Sequence, residues 1–290
     1  MSKNHNTEVL RRQAIDAGGP GSILRDFETL LEFIGAEGVR AAGKYHFLPL
    51  ERLGELDAKM SNPLRPRLER PQQRSFPQID GLYLLLRAMR LGVPKGLGKK
   101  TGMLILDRAM LDQWRTLNAT EHYFNLLEAW LRHGRAEMHG ERGGCMNSML
   151  WPLREIWQRV AIYHAAGKRR GEIPLYGRVS FCCLALAELF GLLEVTRGGP
   201  AREGNVQILD VRPTEFGEAL LEPIVGEPLD FPLPRARQAD EPDFGAWQPL
   251  FQECFPEWRN NLAFPEPEQR DGVFVFKAKL GPGKKRVGTI

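Results

Sequence analysis

Between Gly92 and Asp107 the chain reads GVPKGLGKKTGMLILD, two short apolar pieces on either side of a tip rich in Gly and Lys, as an antiparallel hairpin requires. A lone hairpin cannot sustain itself in water, so it must lean on neighbouring elements. Those before it read as helices. Ser22 reads as the N-cap of ILRDFETLLEFIGAEG, whose Phe27, Leu30, Leu31 and Ile34 recur at helical spacing and which Gly38 closes. A short extended piece, GKYHF, leads to a second helix, LPLERLGELDAKM, opened by Pro49 and carrying Leu50, Leu53 and Leu56. Four prolines exclude regular structure from NPLRPRLERPQQRSFPQ, which reads as a basic loop. A third helix, IDGLYLLLRAMRL, then runs straight into the hairpin.

Three helices followed by a basic-tipped hairpin is the winged-helix order, an elaboration of helix-turn-helix. Two further helices, DRAMLDQWRTL and TEHYFNLLEAWLRHG, complete a first module over 22–134; Asn118 and Glu121 have capping-box spacing. Residues 135–150 lose periodicity, gather glycine and read as a linker. The order repeats over 151–225: the helix WPLREIWQRVAIYHAAG, the basic piece KRRGEIPLYG, the helix RVSFCCLALAELFG, the strands LLEVTRG and NVQILDVRP around GGPARE, and the helix TEFGEALLEPI. The expected fold class is therefore mainly α with short β-hairpins, built as tandem winged-helix modules each burying its own core. Outside them, 1–21 reads as a disordered tail. Residues 226–270 read as an acidic, Pro-rich connector with one helix around AWQPLFQECFPEWR that packs back through Trp247, Phe251 and Trp258. Residues 271–290 read as a single strand, GVFVFKAKL, and a basic tail.

Two runs, ERPQQRSFPQIDGLYLLLRAMRLG from Glu69 to Gly92 and LNATEHYFNLLEAWLRHGR from Leu117 to Arg135, resemble the N-terminal region of the bacterial Ri-plasmid ORF-three-like family. FIGAEGVRAAGKYHFLPL adds a weaker match, and DGVFVFKAKLG, from Asp271 to Gly281, looks like the first strand of that family's C-terminal domain. The resemblance implies the helical front half of a longer plasmid- or mobile-element-associated protein, with only the start of its last domain present. It carries over no catalytic residue.

Several function classes fall away on the residues. No apolar run reaches the roughly 18 residues of a membrane span, and MSKNHNTEVLRRQ lacks the apolar stretch of a signal peptide, so a cytoplasmic protein with no membrane partner is expected. GVPKGLGKKT imitates a phosphate-binding loop, but Gly92 and Gly98 are one residue too far apart, two lysines precede Thr101, and a helix stands where a strand should. His122 and His133, on one helix, are about 16 Å apart and cannot share an ion, and His139 follows in the linker. Cys182 and Cys183 sit among Phe181, Leu184 and Leu186 as packing residues; with Cys145 and Cys254 they make no CxxC pair. No catalytic constellation, metal site or cofactor is expected, and the chain reads as a non-enzyme.

Charge distribution points to a partner. From Asn62 to Lys100 there are nine Lys or Arg against two acids, whereas Gly226 to Asp271 holds ten acids against four basic residues. The candidate DNA-binding set is Arg65, Arg67, Arg70 and Arg74 on the loop, Arg87 and Arg90 on the third helix, and Lys95, Lys99 and Lys100 on the hairpin. Winding 79–91 as a helix turns Asp80, Tyr83, Leu84 and Arg87 outward, a poor set for reading bases. The corresponding helix of the second module would turn out Arg178, Phe181, Cys182, Ala185 and Glu188, which suits protein contact or packing between modules. Two readings stay open. One is a non-catalytic DNA-binding accessory or regulatory protein that holds duplex backbone. The other is a protein-interaction scaffold, self-association included, with no nucleic-acid contact.

Overall fold

The structure is a computed structural model and describes residues 3–41, 43, 45–66, 68, 70–96, 102–135, 138, 149–165, 180–200, 206–225, 251–258, 268–270 and 273–275. In chain order the elements are α1 (Lys3–Arg12), α2 (Ile23–Ile34), β1 (Val39–Ala41), α3 (Leu53–Lys59), α4 (Pro77–Ala88), β2 (Gly92–Lys95), β3 (Gly102–Leu106), α5 (Arg108–Arg115), α6 (Ala119–Glu128), α7 (Leu150–Ala165), α8 (Phe181–Leu189), β4 (Leu193–Pro200), β5 (Val206–Pro213), α9 (Glu215–Val225), β6 (Glu268–Arg270) and β7 (Val273–Val275). Short 3-10 turns stand at Leu50–Arg52 and Gln73–Ser75, and α6 runs on as a π-helical turn over Ala129–His133. The described chain is thus mainly helical with small antiparallel sheets.

The elements follow local chemistry, with some corrections. Asn118 and Glu121 form the capping box, each side chain 2.9 Å from the other's backbone N–H. Asp107 caps α5 by accepting from Met110 N–H at 3.0 Å, and Thr214 Oγ1 accepts from Gly217 N–H at 2.8 Å at the head of α9. Ser22 is not a side-chain cap: its hydroxyl donates instead to Asp26 Oδ2 at 2.8 Å. The helix also stops earlier than expected, at Gly35 (φ 63°), whose N–H bonds Leu31 O. The extended piece lies at Val39–Ala41, before GKYHF, because the chain turns at Gly43 and His46, where φ is 65° and 59°. The expected disordered tail is largely α1, which rests on α9 and buries Val9 and Leu10. The strand expected to stand alone is paired over its described residues: β7 lies antiparallel to β6, with Gln269 opposite Phe274.

The first sheet has the order β1-β3-β2, so the last strand lies between the other two, with Val39 opposite Leu104 and Lys95 opposite Met103. Its inner face, Val39, Ala41 and Leu104, is buried. The second sheet is the β4–β5 hairpin, with register shifts on either side of Arg197.

The two halves do not keep separate cores. One cluster of buried side chains runs from Leu10 through Phe27, Leu85 and Trp130 to Leu186, Leu220 and Phe255. Its axis is the pairing of α4 with α8. A Cβ on Gly81 would sit 2.7 Å from Leu186 Cγ, so the small residue sets how closely the helices approach. Tyr123 in α6 donates to Phe190 O at 2.7 Å and ties the halves again. The chain beyond α9 does fold back at 251–258, where Phe251, Phe255 and Trp258 gather round Phe124 with ring centroids 4.8–5.0 Å away. Trp247 lies outside the described residues, as does most of the expected linker.

Candidate nucleic-acid interface

The proline-kinked loop after α3 has no repeating backbone bonds of its own, so buried carboxylates hold it. Asp57 accepts from the backbone N–H groups of Leu64 at 3.0 Å and Arg65 at 2.7 Å. Asp26 accepts from the backbone N–H and hydroxyl of Ser61 at 2.8 and 2.7 Å. Gln73 spans the far end: its Nε2 donates to Asp80 Oδ1 at 2.7 Å and its Oε1 accepts from Leu48 N–H at 3.0 Å. Acids therefore face inward onto the backbone while Arg65, Arg70 and Arg74 remain exposed. Lys95 is exposed at the end of β2. Arg67, Lys99 and Lys100 lie outside the described residues.

α4 corrects the expectation about its outward face. Asp80, Tyr83 and Leu84 are buried along with Leu82, Leu85 and Leu86, because neighbours cover the helix on all sides. Arg87 is half-buried and engaged: its Nη1 donates to Tyr83 Oη at 2.7 Å and approaches Tyr45 O at 3.4 Å. Burial and Arg87 hold the His46 imidazole below its ordinary pKa. Arg90, half-buried with φ 58°, lies beyond the end of α4. Burial, then the charges of Arg132, Arg135 and Arg90, holds His133 down to about 4. α8 departs likewise: Phe181 is exposed, but Cys182 and Ala185 are buried and Glu188 is half-buried, with Arg178 outside the described residues. Neither helix can enter a groove of DNA in this arrangement.

Some exposed cations of the described residues are paired and some are not. Elsewhere among the described residues Arg11 pairs with Glu253, Arg12 with Glu8, Arg52 and Lys59 with Glu55, Arg159 with Glu155, and Arg212 with Asp210. Arg65, Arg70, Arg74 and Lys95 have no carboxylate within ion-pair distance among the described residues, a property they share with the exposed Arg25, Arg108 and Arg115. Sequence reasoning missed Arg40, also exposed, because a three-residue strand carries too little alternation to be read. Arg40 and Lys95 lie opposite Met103 from either side, giving a row Arg40–Met103–Lys95 on the outer face of the sheet. Met103 is 39% exposed.

No group of three metal-ligating side chains occurs among the described residues. His122 stacks on Trp114 at 3.9 Å, with its Nε2 2.8 Å from Trp114 O. Burial pushes the Cys183 thiol far up, away from the reactive thiolate. No described helix is long and apolar enough to cross a membrane. A cleft of about 640 Å³ lies between α1 and the second hairpin, lined in part by Arg12, Glu188, Glu194, Glu215 and Phe216, and contains none of the candidate cations. Comparison with known protein families, curated proteins and solved structures finds no match for this chain.

Proposed function

We propose that this protein binds duplex DNA through its sugar-phosphate backbone and reads little or no sequence. The observation that carries the reading is the contrast between α4, buried on every side, and Arg65, Arg70, Arg74 and Lys95, exposed and without carboxylate partners among the described residues. Exposed cations that meet no carboxylate among the described residues, in a stretch as basic as 62–100, suit a polyanion. The order helix, strand, helix, helix, strand, strand over 23–106, with the last strand in the middle of the sheet, supports a winged-helix reading of the first module. The helices α7 and α8, the β4–β5 hairpin and α9 support a second one over 151–225. In this reading the two helices that would face DNA in free modules pack on each other, leaving loop and wing for phosphates. The family resemblance adds a role as a non-catalytic accessory or regulatory factor of a plasmid or mobile element, working in the cytoplasm.

The test is duplex binding as a function of salt. Log affinity falls steeply with log salt, and replacing Arg65, Arg70, Arg74 and Lys95 by Ala flattens the slope by about 0.9 for each phosphate that is no longer neutralised. No binding of any duplex at low salt ends the proposal. The second reading, a protein-interaction scaffold, is favoured by Phe181, 51% exposed at the head of α8. It expects self-association or a co-purifying protein that Phe181→Ser releases, with no DNA bound.

A further inference from the structure

The turn between β1 and α3 is bonded to the helix α4. Its backbone is held left-handed at both Gly43 and His46, and His46 N–H closes it onto Gly43 O at 3.2 Å. A non-glycine residue in that region persists only where its surroundings fix it. Here they do: Tyr83 Oη reaches Tyr45 O at 2.8 Å and His46 O at 3.1 Å, and Arg87 bonds the Tyr83 hydroxyl from beneath. The buried helix that cannot read DNA thus clamps the carbonyls of a turn that presents three consecutive rings.

Tyr45, His46 and Phe47 are all half-buried, which leaves part of each at the surface. Tyr45 and Phe47 are 5.7 Å apart and tilted by 40°, and Phe47 meets Tyr83 edge-on at 6.0 Å. Two cations that meet no carboxylate among the described residues, Arg74 and Lys95, stand on segments that border this turn. Leu48 N–H bonds Gln73, so the exposed Arg74 follows at the next position. On the other side a Cβ on Gly102 would lie 3.5 Å from His46 Cδ2 and 3.0 Å from Lys95 O, which sets the imidazole beside the strand that carries Lys95. Aromatic side chains between basic ones, fixed before any ligand arrives, are the means by which proteins hold unpaired bases, because every base has a face to stack while the cations follow the backbone.

We propose that the Tyr45–His46–Phe47 turn is a stacking platform for an unpaired base, so that the protein prefers duplex DNA carrying a single-stranded tail over blunt duplex. This rests on the DNA-binding reading above and adds the class of DNA.

The experiment compares a blunt duplex with the same duplex bearing a thymine tail, by fluorescence anisotropy on the full chain at one low salt concentration. The tailed duplex binds about fivefold tighter or more, the lower end of what one stacked base contributes. Tyr45→Leu removes most of that preference and leaves the blunt affinity unchanged. His46→Gly serves as a second variant, since glycine adopts a φ near 59° freely and the turn keeps its course. Circular dichroism melting confirms that each variant is folded. Equal affinities for the two DNAs in the parent protein, or a preference that survives both variants, overturns the platform while duplex binding stands. Binding of the tail alone, with none to the blunt duplex, upholds the platform and removes the duplex reading. Binding of neither removes both.

Discussion

The molecule carries two hairpins, each following one of the paired helices α4 and α8, and they handle charge in opposite ways. In β4–β5, Arg197 sits where the register shifts and grips both oxygens of Glu188 on the preceding helix, while Arg212 bonds Asp210 at 2.7 Å on its own strand. In β2–β3, Lys95 has no such partner among the described residues, nor does Arg40 on the strand beside them. The second hairpin satisfies its described cations, Arg197 and Arg212, within the chain and so contributes to the fold. The first leaves Lys95 without a carboxylate partner among the described residues, and in the proposed function it meets phosphate. Similar local topology therefore meets charge in two ways, and what separates them is whether a described carboxylate lies within reach.

The largest effect is expected where the hairpins share a foundation. Leu186 on α8 is fully buried against Gly81 of α4. Leu186→Ala should lower the unfolding free energy by about 2–5 kcal/mol, read from urea denaturation. Because one core spans both halves, a single transition should shift as a unit. Two transitions, of which only one moves, would break the view that the hairpins stand on common ground.

Next comes the clasp of the second hairpin. The side chains of Arg197 and Glu188 are only 22% and 15% exposed, so Arg197→Ala leaves a largely buried carboxylate without its partner. A decrease in stability of about 1–3 kcal/mol is expected, with no change in duplex affinity or its salt slope. A changed slope would put the second hairpin in the interface and dissolve the contrast.

Another effect is set by pH. His133 has its folded pKa lowered to about 4 from an unfolded value near 6.5, so protonation favours the unfolded chain. Its contribution is fully present above about pH 6.5 and is lost as pH falls through about 4. His133→Gln should flatten stability across that window, measured by denaturant titration at several pH values. Like charge from Arg90, at the end of α4, helps cause the shift, so Arg90→Gln should reduce it in the same direction.

Much of the architecture was legible because it rests on short-range chemistry. Asn118 with Glu121, Asp107 before α5, and the Gly and Lys of the first hairpin each act within a few residues. What covers a helix is a long-range matter. Winding α4 turns Tyr83 and Arg87 away from Leu82 and Leu85, but nothing local says that the 45–48 segment closes over that side. The unbroken run Leu82–Leu86 is the available sign, since a helix apolar all round is a buried one. α1 escapes the sequence for the converse reason: Val9 and Leu10 are too little apolar surface to mark a helix until α9 is beside them. Of the candidate site, the exposed arginines were legible from the prolines that keep their loop irregular. The 45–47 turn was not, because its left-handed residues include a histidine in place of the glycine that would have announced it.

The smallest effect tests the first hairpin most directly. Lys95 is exposed and its side chain meets no carboxylate among the described residues, so Lys95→Ala should leave the unfolding free energy within about 0.5 kcal/mol of the parent. The same change should lower the salt slope of duplex binding by about 1, if the ammonium neutralises one phosphate. Stability and binding then respond in opposite proportion to their response at Arg197. A fall in stability without change in slope would mean that Lys95 serves the fold, and the two hairpins would no longer differ in kind.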